Sequence, residues 1–287
     1  MPATLVECVP NFSEGRDPAK IDAIVEAVRS AGATVLDRSA DHDHHRSVIT
    51  FAAPADIAGE AAFRAVRQAV SILDLRSHSG VHPRIGAADV VPFVPVHGVT
   101  MEDCVRIARQ TGRRIWEELG VPVYLYEAAA VRPECRNLAH IRRGDVPEPD
   151  FGGPTHHPSA GAVVVGARKF LIAFNVNLKT LDVTIARRIA RAVRFSSGGL
   201  PHVKAMGVFL ASRNLAQVSM NLTDFEATPI HVVLEEVRRL AAHHGVAIAG
   251  TEVIGLVPRK ALEMVAAWYL QLESFRPDMV LETRLEG

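Results

Sequence analysis

The sequence predicts an α/β fold, an α+β sandwich of two related βαβ-type lobes. Three observations carry that expectation. Short β-prone runs alternate with stretches of helical period along almost all of the 287 residues. Hydrophobic residues make up 48% and charged residues 22%, the composition of an ordinary globular protein with enough chain for one large domain or two lobes. An internal echo runs residues 5–14 parallel to residues 215–224, and Asn177 repeats the same pattern of a strand, an Asn-apolar pair and a helix.

Taken in order, residues 5–9 read as a strand ending in a turn at Pro10, Asn11, Ser13 and Gly15. Asp17 and Pro18 then open a helix whose stripe is Ile21, Ile24, Val25 and Val28, and Gly32 stops it. Residues 34–36 and 48–51 read as strands and 56–73 as a helix. Residues 90–96 are strand-like but contain Pro92 and Pro95, which places them at a sheet edge. Thr100 and Asp103 form a capping box for a helix to Leu119, followed by a strand at 121–126. Residues 127–161 are irregular, and a loop that long is functional or mobile. Strands return at 162–165 and 170–174, a helix at 181–193, strands at 203–210 and 216–220, a helix at 230–240, a strand at 246–249 and a helix at 259–270. The lobe boundary falls near 178–180, giving subdomains 1–179 and 180–287.

Several function classes receive no support. Thirty-two basic and thirty-two acidic residues leave no net charge to attract nucleic acid or an anionic membrane. Three cysteines without CxxC spacing argue against a disulfide framework and fit a reducing compartment. A basic leader and a long apolar run are both lacking, so the expected location is the cytoplasm. No strand leads into a Gly-rich nucleotide fingerprint.

The chemistry concentrates in residues 78–89. His78, His82, Arg84 and Asp89 lie there among Gly80, Pro83 and Gly86, as in a functional loop. An imidazole both gives and takes a proton near neutrality, which makes His82 a candidate general acid/base. The Asp41–His45 stretch could instead ligate a divalent metal with nearby histidines, although helical ligand spacing is missing. The run Gly152, Gly153, Pro154, Thr155, His156, His157, Pro158, Ser159, Ala160 and Gly161 reads either as a lobe linker or as a wall that admits a flat ligand closely. Arg46, Arg84, Arg168 and Lys169 are candidate anchors for carboxylates, and Asn11, Asn177 and Asn221 share a position suggestive of a common contact.

Segments 6–15, 82–89, 121–126, 166–175 and 214–219 together resemble glutamate formimidoyltransferase, the formiminotransferase half of formimidoyltransferase-cyclodeaminase. The likeness runs in order along nearly the whole chain. It implies transfer of a formimino group from N-formimino-L-glutamate to N5 of tetrahydrofolate, in histidine breakdown. It further implies His82 as the catalytic residue, the 152–161 loop as the folate site, tetrahydrofolate as co-substrate and no metal. The implied architecture is two subdomains, each a mixed sheet with helices on its outer face, enclosing a ligand tunnel, usually in a homodimer. Partners would be small molecules, with neither nucleic acid nor membrane.

This sequence departs from the family pattern in places. No cyclodeaminase domain is seen, so channelling to a second site on the same chain is not expected. His156 and His157 replace less basic residues, His45 stands where Asn is common, and the loop before Asp150 is shorter. These departures leave a formyl donor, as in a glutamate formyltransferase on the same fold, as an alternative. A metal-dependent amidohydrolase using the Asp41–His45 loop and a non-catalytic folate-binding protein are the other readings.

Overall fold

The computed structural model describes residues 4–42, 44–79, 84–146, 148–211 and 213–286. The chain divides into two compact units, Met1–Lys169 and Phe170–Gly287. The division precedes the 179/180 boundary read from the sequence, because the strand over residues 172–178 pairs within the second sheet.

In the first unit, β1 (Leu5–Cys8) and β2 (Asn11–Phe12) are one strand interrupted at Val9 and Pro10. The Asp17 carboxylate accepts from the Ala19 and Lys20 backbone N–H groups and caps α1 (Pro18–Arg29), which buries the expected Ile21, Ile24, Val25 and Val28. There follow β3 (Thr34–Asp41), β4 (Arg46–Ala53), α2 (Ala55–Ile72) and β5 (Ala88–His97). α3 (Met101–Leu119) opens on the Thr100–Asp103 capping box and ends at the left-handed Gly120. β6 (Val123–Glu127), α4 (Leu138–Arg142) and β7 (Val163–Ala167) complete the unit.

The strands lie in the order β3, β4, β1/β2, β5, β7, β6. Pairing is antiparallel as far as β5 and parallel from β5 through β7 to β6. Val6, Cys8, Phe51, Phe93 and Val165 form one core with residues of α1, α2 and α3. The opposite side of each strand carries the other parity, including Tyr124, Tyr126, Val90 and Val164, packed by Cys135, Ile141 and Val146. Residues 127–161 are thus less irregular than expected, since a 3-10 turn at Pro133–Arg136 and α4 cover part of this second face.

β5 is central rather than at an edge. Pro92 lies where the neighbouring strand is broken at Val9 and Pro10, and Pro95 lies at the register shift between Leu5 and Val6. Missing amide donors are therefore placed where the ladder is already irregular.

The second unit contains β8 (Ile172–Leu178), α5 (Val183–Val193), β9 (Val203–Leu210), β10 (Leu215–Leu222), α6 (Ile230–His243), β11 (Ile248–Ile254), α7 (Arg259–Tyr269) and α8 (Leu281–Glu286). Its strand order is β11, β8, β10, β9, and every pair is antiparallel rather than mixed. Each helical crossover joins strands that leave a gap between them, and an antiparallel strand fills the gap, a split βαβ arrangement.

The first unit repeats this scheme over β1/β2, α1, β3, β4, α2 and β5. The topological partner of β1 is therefore β8. The 5–14 and 215–224 echo instead aligns a first strand with a third. Asn11, Asn177 and Asn221 all lie inside strands, not in turns after them. Among the described residues, no helix is long and apolar enough to cross a membrane.

Phe93 tests the central position of β5, because it is fully buried against the helices. Phe93→Ala is expected to lower stability by about 3–5 kcal/mol in denaturant titration. An edge position would cost well under half of that.

Candidate functional site

Residues 80–83, and with them His82, lie outside the described residues. The rest of the 78–89 motif is held by backbone. Ala87 N–H donates to Ala160 O at 2.9 Å, and Ala162 N–H donates to Ile85 O at 2.8 Å. These bonds fasten the motif to the turn over residues 157–161, and Leu75 N–H adds a bond to Ser159 O at 2.8 Å. The approach requires glycine on both sides. A Cβ on Gly86 would stand 1.8 Å from Ala162 O, and one on Gly161 would stand 2.1 Å from Ile85 O.

Side chains finish the joint. Ser13 Oγ donates to Gly86 O at 2.7 Å. The buried Asp89 carboxylate accepts from Ile85 N–H at 2.9 Å and pairs with the Arg142 guanidinium. His157 Nδ1 accepts from Ala160 N–H at 3.1 Å, so its ring nitrogen is spent on stabilising the turn. Pro158 and residues 152–156 are exposed, and Ala160 and Gly161 are buried. The 152–161 run thus has an open flank and a locked flank.

A cavity of about 340 Å³ lies beside this joint. Its lining includes Ile85, Tyr124, Ile141, Arg142, Arg143 and His156, which joins the 84–89 motif, the α4 segment and the open flank of the 152–161 run. The His156 ring meets Tyr124 edge-on at 6.5 Å. Two guanidiniums beside an aromatic wall suit a flat, anionic ligand.

A second group forms around two stacked imidazoles. The His45 and His78 rings are 4.0 Å apart and 23° from parallel. His45 Nδ1 accepts from Gly15 N–H at 3.0 Å, with Glu14 Oε1 3.4 Å away. Arg84 donates to His78 Nδ1, and His78 Nε2 donates to His45 O at 3.1 Å. Both rings are therefore held neutral. Burial is the first cause that lowers each pKa below 6.5; His78 adds to the effect on His45, and Arg84 to that on His78. Glu14, nearly buried, accepts from Arg16 and Asp17 N–H groups, and these bonds hold its carboxyl below the ordinary carboxylate value against the opposing effect of burial.

The remaining candidates separate. Arg46 donates to Asn11 Oδ1 and shares its surroundings with Asp89 and Arg142. Arg168 lies near half-buried Glu7 and buried Tyr126, whose hydroxyl burial pushes up to about 12. Burial also raises Glu7, against the pull of Arg168. Lys169 is exposed at the end of the same segment. Asn177 is buried in the second sheet, and exposed Asn221 lies opposite Lys204.

The sequence reading gave no role to Glu7, Glu14, Tyr126, Arg142, Gln217 or Glu252. They sit singly on strands, loops or a short helix, and each finds its partners within its own unit only through pairing. In the Asp41–His45 stretch, Asp41 accepts from His44 N–H at 2.7 Å and pairs with its ring at 3.0 Å. Among the described residues, no group of three or more His, Cys, Asp or Glu is placed to hold a metal ion.

The neutral imidazoles set a pH dependence. Unfolding raises both pKa values to about 6.5, so the unfolded chain binds more protons just below that pH. Stability is expected to be complete above pH 6.5 and to fall as the pH drops toward the folded-state values. Denaturant titrations at pH 7.5 and 5.5 should show a smaller acid loss for His78→Asn than for the wild type. An equal loss would mean that the ring is protonated in the fold.

Comparison with known proteins gives the family. The formiminotransferase domain, N-terminal subdomain, matches residues 5–168, and the formiminotransferase domain matches residues 173–282. The two matches meet where the compact units divide. The glutamate formimidoyltransferase of Thermoplasma acidophilum is 47% identical over 297 residues, covering 99% of this chain and 98% of its own. That of Streptococcus pyogenes serotype M1 is 46% identical over 298 residues, covering 99% and 100%. The formimidoyltransferase-cyclodeaminase of Rattus norvegicus is 46% identical over 287 residues, covering 94% of this chain and 53% of its own. This chain belongs to the formiminotransferase family.

Proposed function

We propose that the chain is a one-carbon transferase that moves the formimino group of N-formimino-L-glutamate to N5 of tetrahydrofolate. The products are 5-formimino-tetrahydrofolate and L-glutamate. The observation that carries this reading is near-full-length identity of 46–47% to two proteins named glutamate formimidoyltransferase. Tetrahydrofolate supplies the nucleophilic N5 amine. The reaction belongs to histidine breakdown, with the chain as a cytoplasmic homodimer acting on small molecules.

His82 is assigned as the general acid/base. It takes the proton that N5 must lose and returns it to the departing glutamate nitrogen. One imidazole serves both steps because its pKa lies near neutrality. Residues 152–161 are assigned to folate, supported by their open flank at Gly152 and Gly153 and by the cavity that His156 enters. Both substrates carry carboxylates, and Arg46, Arg84, Arg168 and Lys169 are assigned to them, with Asn11, Asn177 and Asn221 as polar contacts. Fixing both substrates in one orientation supplies much of the remaining rate gain.

The test is a turnover assay with tetrahydrofolate and N-formimino-L-glutamate, with and without chelator. We expect folate-dependent glutamate release that chelator does not change. His82→Ala is expected to lower kcat by roughly 10²–10⁴-fold with folate affinity retained. Chelator-sensitive hydrolysis without folate would favour the amidohydrolase reading. Turnover only with N-formyl-L-glutamate would move the donor to the formyl class.

A further inference from the structure

Three segments of the first unit meet at the His45–His78 stack, and their packing leaves the rings little choice of state. His45 closes the turn between β3 and β4 with a left-handed φ of 48°. That turn lies so close to Gly15 that a Cβ there would stand 2.2 Å from Asp41 O and 2.5 Å from Arg46 N. Arg16 Nε adds a bond to His42 O at 3.1 Å. The 13–17 segment and the β3–β4 turn are therefore packed as one body, and His78 brings the 78–89 motif against it.

Each ring serves as an acceptor for a donor that cannot give up its hydrogen. Gly15 N–H donates to His45 Nδ1 at 3.0 Å. The Arg84 guanidinium donates to His78 Nδ1, and its other arm donates to His44 O at 3.4 Å. His78 Nε2 must then carry the ring hydrogen, which it donates to His45 O at 3.1 Å. A proton added to either Nδ1 displaces its donor, and on His78 it also sets a cation against the guanidinium. The charged groups facing the rings are Glu14 and Arg16 from the 13–17 segment and Arg84 from the motif. Glu14 alone of these favours the protonated rings, and it is already engaged by the Arg16 and Asp17 N–H groups and by Lys20 of α1 at 3.8 Å. On the turn itself, Asp41 is paired with His44.

We propose that the His45–His78 stack is an acid-operated latch. Closed, with both rings neutral, it holds Arg84 against the β3–β4 turn. Open, with both rings protonated, it releases Arg84 while the rest of the unit stays folded. The closed state binds no proton at these rings and the open state binds one at each, so both protons drive a single step. A stack that merely titrated in place would show two separated steps, because the first proton repels the second. Burial, helped by the neighbouring cations, holds both rings below 6.5 while the latch is closed. The latch is therefore shut above pH 6.5 and opens as the pH falls below it. Arg84 is an assigned carboxylate anchor of the proposed reaction, and only the effect on turnover rests on that reading.

The test is a pH titration of histidine-labelled protein without substrates, followed by ring NMR signals, with circular dichroism to confirm that the chain stays folded. His45→Asn and His78→Asn assign the two rings. Asn at residue 45 tolerates the left-handed φ and keeps an acceptor oxygen for Gly15 N–H, but it does not titrate. In the wild type both rings should protonate at one shared midpoint below 6.5, with a Hill coefficient of about two. In either variant the remaining ring should titrate with a coefficient of about one. Turnover of both variants at pH 7.5 should stay near that of the wild type. The acid limb of log kcat/KM for N-formimino-L-glutamate should be shallower in His45→Asn than in the wild type by about one proton.

Two separate midpoints in the wild type would overturn the latch. So would a shared midpoint that coincides with loss of the folded circular dichroism signal, or acid limbs of equal slope. A chain that folds but turns over neither the formimino nor the formyl donor would overturn the transferase reading, and the ring titration would still decide the latch.

Discussion

The candidate site depends on one backbone joint. Residues 85–87 and the turn at 157–161 are tied by main-chain hydrogen bonds, and the tie is possible only because Gly86 and Gly161 carry no side chain. Two segments far apart in sequence are thereby fixed as one surface. The first is the described end of the motif that contains His82. The second is the locked half of the run assigned to folate. Side chains then act on a frame they did not have to build. Asp89 closes its own turn and holds Arg142, and Ser13 secures Gly86.

Each guanidinium around this frame is held by a polar partner. Arg142 has Asp89, Arg46 has Asn11, and Arg84 has a neutral His78. At the other end of β7, away from this frame, Arg168 lies near Glu7, whose carboxyl burial pushes up. The result is a concentration of guanidiniums held in set positions in a chain of zero net charge. That suits recognition of small dianions better than attraction of a polyanion. The neutral state of His45 and His78 matters for the same reason, because two more cations beside Arg84 would repel it.

Much of this was legible in the sequence, and the failures have physical causes. The helices followed from spacing and caps, as with Asp17–Pro18 and Thr100–Asp103, because those signals are local. Pro92 and Pro95 misplaced β5, since a proline cost vanishes where the neighbouring strand is already broken. The mixed second sheet failed because strand direction depends on which strand fills a crossover gap, a non-local choice. Motif residues 84–89 and 152–161 stood out by composition. Glu7, Arg142, Gln217 and Glu252 did not, because each gains meaning only from a partner brought by pairing or by α4.

The most direct measurement is hydrogen exchange with and without tetrahydrofolate, followed by peptide. Folate binding is expected to slow exchange in residues 84–89, 141–146 and 152–161, with α1 and α2 unchanged. Binding with no slowing in those three segments would contradict the central claim that the Gly86–Gly161 joint frames the folate site.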